Sequence, residues 1–94
     1  MRRSRIDIIA EILRTAINGS QKTRLVYETN INFTLLKEYL PFLYEKGFIE
    51  IFNEKIYSTD VGLEFLRAYD TMYELLQSND VEKSSQAHIT KWAK

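Results

Sequence analysis

Asn32-Phe33-Thr34-Leu35-Leu36-Lys37-Glu38-Tyr39-Leu40-Pro41-Phe42-Leu43-Tyr44-Glu45-Lys46-Gly47 is the stretch whose reading decides the fold. Its large apolar residues Phe33, Leu36, Leu40, Leu43 and Tyr44 follow one another at steps of three, four, three and one. That spacing predicts an amphipathic helix, not the alternation of a strand, and it assigns Phe33 to the core. Asn32 is placed to cap the start by accepting a bond from an early orphan N–H. Gly47 sits where a left-handed residue ends a helix. Off the stripe lie Thr34, Lys37, Glu38 and Pro41, a small polar face near the start. Pro41 removes the bond to the Lys37 carbonyl and clashes with it, so a kink is expected there, with the apolar stripe keeping its phase through Leu40 and Leu43.

Working outward, Ile6, Ile9, Ala10, Leu13 and Ala16/Ile17 recur at helical spacing and predict a first helix over residues 4–18, with Ser4 near its cap. Asn18-Gly19-Ser20 stops it. Leu25 and Val26 suggest a shorter second helix over Lys22–Thr29, with Thr23 or Ser20 as cap, and Asn30-Ile31 turns into the third. Three helices joined by tight turns form a helix-turn-helix bundle. After Gly47 the period changes to two. Phe48–Phe52 and Lys55–Ser58 read as short strands, and Asn53-Glu54 is a connection of hairpin length without the usual glycine. Such a ribbon behind a third helix is a wing. Thr59 then caps a long fourth helix reaching to about Ser78, with Asp60 in its first turn. The fold class expected is mainly α with a small β-hairpin: a winged helix-turn-helix over residues 1–59, a C-terminal dimerisation helix over 60–78 and a polar tail over 79–94.

The fourth helix carries two adjacent apolar seams, Leu66, Tyr69, Tyr73 and Leu76 beside Val61, Phe65, Ala68, Met72 and Leu75. Together they are wider than one neighbour covers. One seam suits the helical core and the other a second copy of the chain. Leu66, Tyr69, Met72, Tyr73 and Leu76 are therefore the candidate homodimer residues, tyrosine suiting an interface because it buries area and keeps a polar tip. A fourth helix folded wholly onto its own domain is the alternative. The polar tail either frays or is ordered only through Ile89 and Trp92 docking on something.

Ninety-four residues make one domain. No apolar run reaches the roughly 18 residues that span a bilayer, and the absence of cysteine leaves no disulfide or thiolate site, a composition that fits the cytoplasm. His88 is the only histidine, so neither a nucleophile–histidine pair nor a multi-histidine metal site can be assembled. No glycine-rich phosphate loop is present. These observations argue against an enzyme and call for no cofactor or metal. The formal net charge is zero, unlike the basic footprint usual for a DNA-binding domain. It is unevenly spread, however: residues 1–24 carry Arg2, Arg3, Arg5, Arg14, Lys22 and Arg24 against Asp7 and Glu11 only. A basic front suits a face that meets phosphates.

A short helix with a polar face, preceded by a helix and followed by a hairpin, is how helix-turn-helix proteins present a reading element to DNA. On that reading Lys22, Thr23 and Arg24 aim two charges and helix N–H groups at a phosphate strand. Asn32, Thr34, Lys37 and Glu38 face the groove, Asn32 serving also as cap. Lys55 at the wing tip meets a neighbouring phosphate or the minor groove. Arg2, Arg3 and Arg5 form a basic arm. A solvated helix start suits Lys22, Thr23 and Arg24 equally well, Lys55 and the three arginines are equally at home as ordinary surface charges, and capping is the larger part of the role of Asn32.

Four pieces in order give the chain a family likeness: Arg5-Ile6-Asp7-Ile8-Ile9 with Ile12-Leu13; Lys22-Thr23-Arg24-Leu25 through Asn30; Tyr39-Leu40 with Leu43-Tyr44-Glu45-Lys46-Gly47-Phe48-Ile49; and Tyr57-Ser58-Thr59 with Gly62 and Phe65-Leu66. From about Arg3 to Leu76 the chain resembles the small archaeal winged-helix proteins, including the ten-kilodalton Sulfolobus DNA-binding proteins. The resemblance implies a winged helix-turn-helix, an antiparallel coiled-coil homodimer through the last helix, and binding of double-stranded DNA as regulator or chromatin component. Pro41 inside the reading helix and the neutral charge depart from the pattern, and the second favours a transcriptional regulator over a non-specific chromatin protein. The competing reading is a protein–protein adaptor that uses the same fold without DNA.

Overall fold

The computed structural model describes residues 3–77; the predicted tail and the docking of Ile89 and Trp92 lie outside them. The order of elements is α1 (Arg5–Thr15), α2 (Lys22–Thr29), α3 (Phe33–Glu45), β1 (Ile49–Phe52), β2 (Lys55–Ser58) and α4 (Asp60–Gln77). Every predicted element forms; α2 and β2 keep the expected bounds and the others are slightly shorter. α1 ends at Thr15 rather than residue 18, and β1 begins at Ile49 rather than Phe48.

Each helix starts where its cap chemistry permits. Ser4 and Asp7 form a capping box at α1, each side chain accepting from the other's backbone N–H. At α3, Asn32 accepts from Leu35 N–H at 2.7 Å, and at α4 Thr59 accepts from Gly62 N–H at 3.1 Å. α2 departs from expectation: its cap is Gln21, with no side-chain bond, and neither Thr23 nor Ser20 fills the role. Ser20 is instead drawn into the sheet, its backbone exchanging bonds with Ile56 at 2.9 and 2.8 Å. That bridge ties the α1–α2 connection to the wing.

α3 runs unbroken through Pro41, which faces solvent. Gly47 takes φ +77° and terminates it, where the Phe48 N–H bonds back to Leu43 O. The hairpin pairs Ile49 with Ser58 and Phe52 with Lys55 in antiparallel register. Its two-residue turn places both Asn53 (φ 54°) and Glu54 (φ 63°) in left-handed conformations, the geometry that matches strand twist even though glycine is absent.

The core is built by Ile9, Ile12, Leu13, Leu25, Ile31, Leu36, Tyr39, Leu40, Leu43, Ile49 and Ile56, with Leu66 also buried. α4 enters against the start of the wing: a β-carbon on Gly62 would lie 2.2 Å from Phe48 O. Thr59 N–H donates to that same oxygen at 2.9 Å, and the Phe48 and Phe65 rings pack 5.2 Å apart. The first half of α4 is thus part of the domain's own core. Two ends of the predicted α3 stripe were misassigned, since Phe33 is 45% and Tyr44 60% exposed. The helix is shared between core and solvent, so a stripe read at its widest overruns the buried arc.

Candidate nucleic-acid interface

The residues proposed from the sequence to meet DNA are distributed over α1, α2, α3 and the wing. On α3, Phe33, Thr34, Lys37, Glu38, Pro41, Tyr44 and Glu45 are all exposed, while Leu36, Leu40 and Leu43 point inward. At 100° per residue the exposed set spans a continuous arc of about 140°. At the start of α2, Lys22, Thr23 and Arg24 are exposed beside a helix end that no side chain caps. Its orphan N–H groups and dipole therefore favour an anion. A shallow groove lined by Gln21, Lys22, Thr23, Ile51, Glu54 and Ile56 separates this helix start from the inner face of the wing. Lys55 is exposed at the wing tip as the register partner of Phe52.

Two of the predicted cations are engaged elsewhere. Arg3 does not extend as an arm: its guanidinium pairs with Glu11 and donates to the carbonyls of Thr29 and Asn30, closing the C-terminus of α2. A cation is favourable there because the last carbonyls of a helix lack partners. Arg5 lies in the first turn of α1 over the rings of Phe42 and Tyr39, at 5.1 and 5.7 Å, where it joins α1 to α3. Lys22, Arg24, Lys37 and Lys55 form no ion pair among the described residues, which leaves them available to phosphate.

The proposed interface seam on α4 divides in two. Leu66 is buried in its own domain, and Tyr69 OH donates to Asp7 at 2.5 Å. That bond, with those from Ser4, holds the Asp7 carboxyl below its ordinary pKa and pushes the Tyr69 phenol up to about 12. One step further on, Arg14 grips Asp70 through two bonds, at 2.7 and 3.3 Å, which lowers the Asp70 pKa and raises that of Arg14. These contacts clamp α4 to α1. Leu66 and Tyr69 therefore serve the protomer, because α1 presents a carboxylate and an arginine at the height where the seam passes. Beyond the clamp, Met72, Tyr73, Leu75 and Leu76 are exposed, Leu76 by 72%. The Tyr73 ring stacks on that of Tyr69 at 5.9 Å.

Sequence reasoning overlooked Tyr27, Phe52 and the outward turn of Tyr44. Tyr27 is 82% exposed on α2. The signal was present: Leu25 and Thr29, one turn apart, are the buried positions of α2, and Tyr27 falls between them on the opposite side.

An exposed third helix, an uncapped second helix aimed beside it and a hairpin behind them define a winged helix-turn-helix. Residues 2–77 match the family described as winged helix-turn-helix, and the chain belongs to it. Uncharacterized protein MJ0287 of Methanocaldococcus jannaschii is 35% identical over 77 residues, which cover 81% of this chain and 76% of that protein. Among solved structures, the crystal structure of Sso10a-2, a DNA-binding protein from Sulfolobus solfataricus, is similar with a TM-score of 0.68. The match covers 98% of each chain at 20% identity, a likeness of fold. The family likeness read from the four sequence pieces is thereby borne out. Among the described residues no helix is long and apolar enough to cross a membrane.

Proposed function

We propose that this protein binds double-stranded DNA as a homodimer and acts as a transcriptional regulator in the cytoplasm, without enzymatic activity. The observation that carries the reading is the exposed arc of α3 flanked by unpaired cations at the start of α2 and at the wing tip. α3 enters the major groove with its front residues Asn32, Thr34, Lys37 and Glu38 toward base edges. Lys22, Thr23 and Arg24 with the amide N–H groups of α2 hold one phosphate strand, and Lys55 reaches another. A few cations on α2, α3 and the wing, on a chain of zero net charge, suit a protein that seeks particular sites better than one that coats DNA in bulk. The dimer forms through the part of α4 beyond the clamp, where Met72, Tyr73, Leu75 and Leu76 would otherwise leave apolar surface in water. The DNA-binding character of the similar Sulfolobus protein supports the first part of this reading.

The test is fluorescence anisotropy with a mixed-sequence duplex at low and near-physiological salt. Binding is expected to weaken steeply with salt. The double variant Lys22→Ala/Arg24→Ala should bind more weakly, with the slope of log affinity against log salt shallower by about 2 for each protomer that contacts the duplex. No binding at low salt would overturn the proposal and favour the adaptor reading, for which exposed Tyr27, Phe33, Tyr44 and Phe52 would supply the docking surface.

A further inference from the structure

The exposed side chains of α3 are not the usual complement of a reading helix. Phe33, Lys37, Pro41 and Tyr44 follow one another at four, four and three residues, so they form one row along the outer face. Three of the four are apolar or aromatic. The helix has a single basic residue in this row and no arginine, so the bidentate reading of guanine that dominates major-groove recognition has little to work with. Pro41 stands exposed in the middle of the helix, outside the core cluster, where it removes a backbone hydrogen bond. It contributes apolar surface to this row at the expense of the helix that carries it. The unpaired cations Lys22, Arg24 and Lys55 belong to the elements before and after α3 in the chain. Charge on the neighbouring elements and an apolar row on α3 suit phosphate contacts from the former and base edges for the latter.

In the major groove the apolar group on offer is the C5-methyl of thymine, which no other base carries. Resting on the DNA-binding reading above, we infer that the row Phe33–Pro41–Tyr44 reads thymine C5-methyl groups, so that the preferred duplex is rich in A·T pairs at the positions facing α3. Phe33 in the first turn of the helix makes the leading contact. Lys37, between Phe33 and Pro41, keeps the row in register by bonding a phosphate or a base acceptor. Glu38 on the adjacent row suits an exocyclic amino donor and is ill suited to the acceptor-lined edge of guanine.

The experiment compares two random-sequence duplex pools that differ only in carrying thymine or deoxyuridine, with affinity read by anisotropy for the full chain. The thymine pool should bind more tightly by about fourfold for each methyl group removed from water. Phe33→Ala should abolish most of this difference while keeping the salt-dependent binding, and Phe33→Gln, which keeps side-chain length, should do the same. Helical circular dichroism checks that both variants fold. Equal binding of the two pools with a steep salt slope would overturn the inference and leave the DNA-binding reading in place. A thymine preference that survives in Phe33→Ala/Tyr44→Ala would also overturn it, placing the effect in DNA shape. No binding of either pool at low salt would remove the DNA-binding reading, and this inference with it.

Discussion

Replacing Gly62 by alanine tests the packing of α4 on the head of the molecule. In an ordinary helix the change stabilises by up to about 1 kcal/mol, because alanine loses less backbone entropy. Here the new β-carbon would lie 2.2 Å from Phe48 O and 3.1 Å from its carbonyl carbon, both backbone atoms, and 3.4 Å from Leu13 Cδ2. An ordinary carbon–oxygen contact needs about 3.3 Å, so the helix and the start of the wing must separate by about 1 Å. That shift stretches the Thr59 N–H bond to Phe48 O, now 2.9 Å, and loosens the Phe48–Phe65 packing. Overpacking of this kind costs about 3 kcal/mol and the lost hydrogen bond about 1, against the gain in propensity; the net loss is about 3 kcal/mol. For a domain of this size the midpoint of thermal unfolding should fall by about 12 to 24 °C. Circular dichroism at one fixed protein concentration measures it, since association would shift the midpoint by mass action. An unchanged or raised midpoint would refute the close approach. Gly47→Ala makes the contrast: nothing lies within 4 Å, so only the φ of +77° opposes it, at about 1–2 kcal/mol.

Other expectations follow from the caps, the clamp and the arm. Asn32→Ala should cost about 1 kcal/mol in urea unfolding, because it removes the bond that caps α3, and a cost near zero would mean solvent replaces the cap. In a spectrophotometric titration of the tyrosines, one phenol should ionise only near pH 12, and Tyr69→Phe should remove that late phase. The sign is that of a proton held by the native state: the folded pKa lies above the ordinary 10, so the Tyr69–Asp7 bond stabilises below pH 10 and is lost through pH 12. At the acid end Asp7 and Asp70 act in the opposite sense. Their lowered folded pKa values give stability that is complete above the ordinary carboxylate range and lost as the pH falls below it, and urea midpoints at pH 3 and 7 should differ accordingly. Tyr73→Glu with Leu76→Glu should give monomers by light scattering without loss of helix, since both residues lie past the clamp; an unchanged mass would rule out the interface on the far half of α4.

The elements were legible because each is written in local chemistry. Ser4, Asn32, Gly47 and Thr59 fix boundaries through bonds to neighbours three or four residues away, and the switch of period after Gly47 marks the wing. What escaped the sequence depends on partners distant along the chain. Ser20 reads as a cap until Ile56 is brought beside it. Arg3 reads as a free arm until the end of α2, 26 residues away, supplies the Thr29 carbonyl. Tyr69 reads as interface until Asp7 arrives from 62 residues upstream. Phe33 was assigned inward by its place on the apolar stripe, yet an aromatic ring in the first turn of a helix can sit at the margin of a core already closed by Leu36 and Leu40. The proposed DNA contacts Lys22, Arg24, Thr34, Lys37 and Lys55 are legible as surface, and all five are exposed.

The clamp turns α4 into a drive shaft. Because Tyr69 and Asp70 fasten the helix to α1 and the same rigid rod continues to Gln77, the head has no swivel of its own. Its bearing relative to whatever grips the far end is set by helical phase. Inserting one residue between Asp70 and that grip would advance the head by about 1.5 Å and turn it through about 100°, and four residues would restore nearly the original bearing one turn further out. Arm length is therefore a stepped dial for the orientation of the head, and a library of short insertions after Asp70 would sample its settings without touching a residue of the head.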